Sequence, residues 1–386
     1  MRVLHVYKDY PPILGGIESH LRTLAEHQAR RGLDVTVLVT SRDARTTESV
    51  EGGVRIIRAA RLGELLSTPL SLELMRRLPA LRPDVTHLQF PYPLGELAHW
   101  LLGRSRATVL TYQSDIVRQR LSGLAYRPLV RLLLRHAHRI ITTSPNYARG
   151  SRLLRPVLEK CAMVPMGIDV KRWHGVDPGR VAELRRRFPG PLILFVGRLR
   201  YYKGLRYLIE AMAAVRGTLL VVGAGGLRRR LEEQARRSPA GDRIHFLGAV
   251  GDDWLPAHYA AADVLVLPSS HRSEAFGLVL LEAMACGTPV VSTELDTGTS
   301  FANRSGETGL VVPPRDPGAL ARAINACLED PQARRAMGER GRERVSAEFG
   351  AERMVDRVLE VYREALASSA RWRQVRSPVA PAPVPE

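Results

Sequence analysis

Short β-rich apolar runs alternate with amphipathic stretches twice along the chain. The first series predicts strands at Val3–Tyr7, Val35–Val39, Val54–Arg58, Val85–Leu88, Ala107–Thr111, Arg139–Thr142 and Cys161–Val164. The second predicts strands at Leu192–Val196, Thr218–Val222, Ile244–Leu247, Val264–Leu267, Pro289–Ser292 and Gly309–Val312. Strands that alternate with helical stretches predict parallel sheets covered by helices on both faces. Thirteen strands exceed what one open sheet usually holds, so two sheets are expected. The break falls at the polar, proline-containing stretch Asp169–Pro191. The expected organisation is α/β, with two Rossmann-like domains at 1–170 and 171–350. A crossover helix at 351–367 returns toward the first domain. A proline-rich tail at 368–386 is expected to be disordered.

Composition narrows the class. The chain has 386 residues, 45% of them apolar, and a net charge of +18. Its three cysteines, Cys161, Cys286 and Cys327, form no CxxC and no Cys/His cluster, which argues against a disulfide framework or zinc module. The opening MRVLHVYKDYPP reads as a strand rather than a signal peptide, and no apolar run approaches ~20 residues. A cytoplasmic protein is expected. Of 57 basic side chains only Lys8, Lys160, Lys171 and Lys203 are lysines. So strong an arginine bias fits GC-rich codons as well as an anionic partner. No nucleic-acid-binding signature is present.

Four motifs carry candidate chemistry. Gly15-Gly16 lies between the first strand and a helix, where backbone N–H groups suit a phosphate or sugar hydroxyl, or where glycine serves only a tight turn. Gly197-Arg198 and Lys203-Gly204 follow the first strand of the second series, at the edge where open α/β sheets bind ligands. A planar guanidinium with a point-charge ammonium suits a diphosphate. Gly223-Ala-Gly225-Gly226 lines a nucleotide pocket or merely turns the chain; without an acidic ribose ligand ~20 residues on, it does not read as a dinucleotide fingerprint. The strongest motif runs from Glu274 through Phe276-Gly277-Leu278 to Glu282 and Gly287-Thr-Pro289. The N–H groups of Gly277, Leu278 and Val279 would face a phosphate, and Glu282 two vicinal hydroxyls. Both carboxylates lie beside a helix N-terminus, which favours ionised acceptors over a raised-pKa acid.

These residues carry a resemblance. Glu274-x7-Glu282 with Phe276-Gly277-Leu278 is similar to glycosyltransferase family 4 of the GT-B fold. Gly15-Gly16-Ile-Glu, Val164-Pro-x-Gly167-Ile-Asp169, Gly197-Arg198 with Lys203-Gly204, and Thr308-Gly309-Leu-Val-Val-Pro follow the family's order. The resemblance spans Arg2 to Leu366 and implies a retaining transferase that uses a nucleotide-diphosphate sugar. It implies that Arg198 and Lys203 hold the diphosphate, Glu282 the ribose and Glu274 the sugar hydroxyls. Gly16, Gly197, Gly223, Phe276, Gly277 and Leu278 complete the expected donor site. No D-x-D occurs, in keeping with metal-independent catalysis and no cofactor. Gln113 stands where the family segment usually carries histidine, so a histidine-dependent step is placed in doubt. It remains a candidate catalytic contact through hydrogen bonding alone. Asp296–Asn303 replaces the commoner Gly-Gly-x-Pro-Glu and resembles a subgroup found in bacterial polysaccharide assembly.

Gly15, His87 and Asp115 are candidates on the acceptor side. Segment 116–139 holds six arginines, two histidines and no acid among leucines, which suits an anionic membrane surface or only an exposed helix in an arginine-rich chain. The expected partners are a nucleotide sugar and a glycan or lipid-linked acceptor, with no nucleic acid. The expected function is glycosyl transfer in cell-surface polysaccharide synthesis by a peripheral protein on the inner membrane face. A non-catalytic binder of sugar nucleotides or polyanions on the same fold is the alternative.

Overall fold

The computed structural model describes residues 1–13, 15–65, 68–113 and 120–376, without side chains at 120–125 and 371–376. All thirteen predicted strands are present, in two separate sheets. The first sheet has eight strands. From one edge to the other they are Cys161–Met163, Arg139–Thr142, Ala107–Tyr112, Val85–Phe90, Arg2–Val6, Asp34–Thr40, Val54–Ala59 and Thr47–Glu51. The second has six, in the order Ile244–Gly248, Thr218–Val222, Leu192–Val196, Val264–Leu267, Val290–Thr293 and Gly309–Val312. Every pairing in them is parallel except Thr47–Glu51 with Val54–Ala59. Each sheet is buried on both faces, which explains the continuous apolar runs of the central strands.

Three strands escaped the sequence reading. Thr47–Glu51 is an edge strand with a polar, largely exposed sequence, so it lacks an apolar face to betray it. Its turn was visible in Gly52-Gly53, whose φ values of 57° and 79° are those a two-residue hairpin turn demands. The other two form a small hairpin, Gly63–Leu65 with Thr68–Leu70.

The stretch 169–191 is not an irregular linker. It holds helices Val170–His174 and Pro178–Arg187, capped by the Asp169 and Asp177 carboxylates, which accept from Lys171 N and Gly179 N. The chain crosses between the sheets twice, and the two crossings are bonded to each other. Ile168 N donates to Phe349 O and Ala351 N to Ile168 O, both at 2.9 Å. Gly167 lies against the second crossing, where a Cβ would sit 2.9 Å from Gly350 O.

The final helix runs from Ala351 to Arg376, nine residues beyond the predicted end at Ala367. The expectation of a disordered tail from 368 is therefore corrected as far as 376; the remainder lies outside the described residues. Ser369 is buried and donates to Arg106 O, and no proline interrupts the helix before Pro378. Met354, Val355, Val358, Leu359 and Val361 pack this helix on the first sheet. Each such burial stabilises by about 1.5–3 kcal/mol, enough to hold the helix on the first domain. Among the described residues no helix is long and apolar enough to cross a membrane.

Candidate active site

The site forms where the carboxyl ends of the second sheet face the first. After strand Leu192–Val196 the chain turns at Gly197 (φ 149°), passes Arg198 and makes a 3-10 turn over Tyr201–Lys203. Gly204 then adopts φ 70°, and a Cβ there would stand 1.9 Å from Pro268 O. Only glycine permits this approach, which sets Lys203 beside the loop after Val264–Leu267. Lys203 Nζ lies 2.7 Å from a Glu274 carboxylate oxygen. Ser269 Oγ donates to the same oxygen at 2.9 Å. Burial disfavours the Lys203 charge, but Glu274, Tyr202 and Glu282 outweigh it and hold the ammonium above its ordinary range.

Gly277 (φ 83°) starts the helix Leu278–Ala285. Among the described residues the N–H groups of Gly277, Leu278 and Val279 have no recorded hydrogen-bond partner, as expected of a phosphate-facing helix start. Glu282 is the fifth residue of this helix, and Tyr259 OH donates to it at 2.5 Å. Burial pushes its carboxyl up, while the Tyr259 bond, Arg172 and Lys203 pull it back. The expectation of a dipole-stabilised, readily ionised Glu282 is corrected here. The helix-end effect fades within the first turn, so desolvation wins.

The structure brings Gly197, Gly223 and the Arg198 loop into one unit. A Cβ on Gly223 (φ 135°) would lie 2.0 Å from Gly197 O, and Leu199 N donates to Ala224 O at 2.9 Å. The Gly223 motif thus packs against the loop that carries Arg198. From the first sheet, helix Gly16–Arg30 places Glu18 opposite, its Oε1 3.7 Å from Arg198 Nη2. Gly15 borders this pair, whereas Gly16 has open space around it.

Other expected residues stand elsewhere. Phe276 is a core side chain, packed edge-on to Phe349, so it offers the site only its backbone; Leu278 is half-buried against the same core. His87 does not line the cleft. It is fully buried, with Nδ1 2.6 Å from Tyr362 OH and Nε2 2.6 Å from Thr111 Oγ1. Strand Val85–Phe90 is central, and the final helix covers it there. Gln113 is 1% exposed and donates to Gln89 Oε1 at 2.5 Å. Among the described residues Gln113 Oε1 and Gln89 Nε2 have no partner. Asp115 lies outside the described residues.

In the basic segment, 116–119 likewise fall outside. Arg127, Arg131 and Arg135 are exposed on the helix Arg120–His136, while Val130, Leu133 and Leu134 are buried. These three side chains are thus committed to the core rather than offered to lipid. Among the described residues no group of three or more His, Cys, Asp and Glu is placed to hold a metal ion. A cavity of about 440 Å³ at the outer edge strand Ile244–Gly248, lined by Arg187, Phe188, Glu232 and His245, includes no residue of this site.

Sequence reasoning gave no role to Glu18, Tyr259 or Ser269. Glu18 had a signal, as the acid closing Gly15-Gly16-Ile-Glu. Tyr259 and Ser269 had none, because their partners are distant in sequence or set by a loop.

Two facing α/β domains with a buried cation–carboxylate pair at the strand ends define a GT-B architecture. The family "Glycosyltransferase Family 4" matches residues 14–172, and "Glycosyl transferases group 1" matches 182–344. The D-rhamnosyltransferase WbpZ of Pseudomonas aeruginosa is 39% identical over 91% of this chain and 93% of its own. The O-antigen chain mannosyltransferase C of Escherichia coli is 35% identical over 96% of this chain and 100% of its own. A sucrose-phosphate synthase from Thermosynechococcus elongatus superposes with a TM-score of 0.81 at 29% identity, over 95% of this chain and 99% of that one. The chain belongs to this glycosyltransferase family and is a glycosyltransferase of polysaccharide biosynthesis.

Proposed function

We propose that the protein is a retaining, metal-independent transferase that moves a mannose- or rhamnose-class sugar from its nucleotide-diphosphate donor to a growing lipid-linked glycan. The sugar class follows the two relatives. The observation that carries the site assignment is the buried Lys203–Glu274 pair beside Glu282 and the free N–H groups at Gly277. As the acceptor hydroxyl oxygen bonds to the sugar's anomeric carbon, the bond from that carbon to the diphosphate breaks. The electron pair and the hydroxyl proton leave with the diphosphate. Arg198 and Lys203 stabilise that developing charge in place of a divalent cation. Glu282 accepts from the ribose hydroxyls, and Glu274, shared with Lys203, from the sugar hydroxyls. Gln113 contributes at most a hydrogen bond, as an amide carries no proton.

The acceptor is proposed to reach the first domain at the inner membrane face. Because Leu133 and Leu134 of Arg120–His136 are buried, adsorption there is electrostatic, through Arg127, Arg131 and Arg135.

The test is transfer from GDP-mannose, with UDP- and ADP-sugars in parallel, in the presence of EDTA. Transfer with the anomeric configuration kept and unaffected by EDTA supports the proposal. Inversion, or loss of activity restored by a divalent metal, contradicts it.

A further inference from the structure

Two side chains one turn apart on helix Gly16–Arg30 reach the second domain with opposite charge. Glu18 faces Arg198 at 3.7 Å, and Arg22 faces Asp252 at 4.0 Å, where Asp252 is also held by Arg172 at 3.1 Å. The two contacts differ in kind. Arg22 and Asp252 have side chains 33% and 58% exposed, an ordinary solvated pair. The Glu18 side chain is 5% exposed and Arg198 is 37%. Burial raises the Glu18 carboxyl and outweighs the pull of Arg198, of the residue's own backbone N–H and of Lys8. A desolvated carboxylate paired with a cation at 3.7 Å, beyond hydrogen-bond distance, is a costly arrangement for fold stability alone.

Gly15 is shaped around this carboxylate. A Cβ there would stand 2.1 Å from Glu18 Oε2 and 3.0 Å from Arg198 Nη2. Gly15 has φ 173°, extended backbone that any residue adopts. What the position requires from glycine is therefore space for the pair.

We propose that Glu18 is a positioning residue: an anion that competes with the donor's diphosphate for Arg198. Diphosphate arrival displaces the carboxylate, and the carboxylate's return to Arg198 hastens departure of the nucleoside diphosphate after transfer. This rests on the reading that Arg198 contacts the diphosphate. It adds a residue of the first domain to control of the donor bound in the second.

The experiment measures Kd for GDP, UDP and ADP by calorimetry, and donor KM and kcat, in the wild type, Glu18→Gln, Gly15→Ala, Arg22→Gln, Arg198→Gln and the Glu18→Gln/Arg198→Gln double variant. Melting curves confirm that each is folded. Gly15→Ala moves the carboxylate without removing it and serves if Glu18→Gln fails to fold. For the tightest nucleotide, Glu18→Gln and Gly15→Ala are expected to bind about two- to fivefold more tightly, the scale of a partly screened ion pair. Both should lower KM more than they change chemistry in a single turnover. Arg22→Gln should not tighten binding, and Glu18→Gln should add nothing once Arg198 is gone. Unchanged affinity in both Glu18→Gln and Gly15→Ala, equal tightening by Arg22→Gln, or a Glu18 effect that survives in the double variant would overturn the proposal. Normal nucleotide affinity in Arg198→Gln would instead overturn the diphosphate role on which it rests.

Discussion

Lys203 and Glu274 meet at 2.7 Å with side chains only 12% and 8% exposed. Removing one partner leaves the other charge buried and unmatched, at a cost of about 3–5 kcal/mol. Lys203→Met should therefore lower the urea midpoint well beyond its loss of contacts. Lys203→Met/Glu274→Gln should recover part of that loss. A double variant no more stable than the single one would show that the buried charge is not the cause.

Glu274 and Glu282 should fail differently. Glu282→Ala should weaken both free nucleotide and donor, because the proposed ribose contact is lost. Glu274→Ala should cut kcat and spare nucleotide affinity. Tyr259→Phe removes the hydroxyl donated to Glu282 at 2.5 Å and should mimic Glu282→Ala in part. Equal nucleotide affinities in Glu274→Ala and Glu282→Ala, measured by calorimetry, would contradict the division.

The buried polar chain under the final helix makes stability depend on pH. His5 Nε2 lies 2.7 Å from Gln28 Oε1, Gln28 Nε2 donates to Tyr362 OH at 3.1 Å, and Tyr362 OH meets His87 Nδ1. Tyr362→Phe would strand two of these buried groups and should cost about 1–3 kcal/mol. Burial lowers His5, His20 and His99 to about 4 and holds His87 well below its ordinary value. A lowered histidine pKa means that the unfolded chain binds more protons below pH 6.5. Stability is then complete above pH 6.5 and declines toward pH 4, by about 1.4 kcal/mol per pH unit for each group. Glu96, raised to about 7 by burial, opposes this, as do Glu18 and Glu282, also raised by burial; these three groups stand against seven lowered histidines once His27, His258 and His271 are added. Urea midpoints should fall from pH 6.5 to 5; a flat or rising profile would contradict the neutral buried histidines.

The sheets were legible in the sequence because strands buried on both faces write continuous apolar runs. Thr47–Glu51 and the Gly63–Leu70 hairpin carry no such mark. The turns after Leu192–Val196 and before Leu278–Ala285 were legible as well, since Gly204 and Gly277 are glycines that geometry demands. His87 was misplaced because a histidine in a strand reads alike whether it faces a cleft or a covering helix. Its true partner, Tyr362, is 275 residues away. The same distance problem hid Glu18 opposite Arg198.

Membrane adsorption should be electrostatic. Arg127, Arg131 and Arg135 are exposed on one helix, and each engaged arginine contributes about 1 kcal/mol near an anionic leaflet. Changing all three to glutamine should abolish sedimentation with anionic liposomes at physiological salt. The same change at Arg229, Arg230 and Arg237, exposed on the second domain, should matter much less. Equal losses from both triplets would point to net charge and not to a docking helix.

Steady-state transfer by Arg198→Ala and Lys203→Ala, with folding verified, tests the central claim most directly. If these cations stabilise the departing diphosphate, each variant should lose about 10²-fold or more in kcat, the scale of a lost preorganised charge contact. Near-normal kcat in both would contradict the assignment of this site.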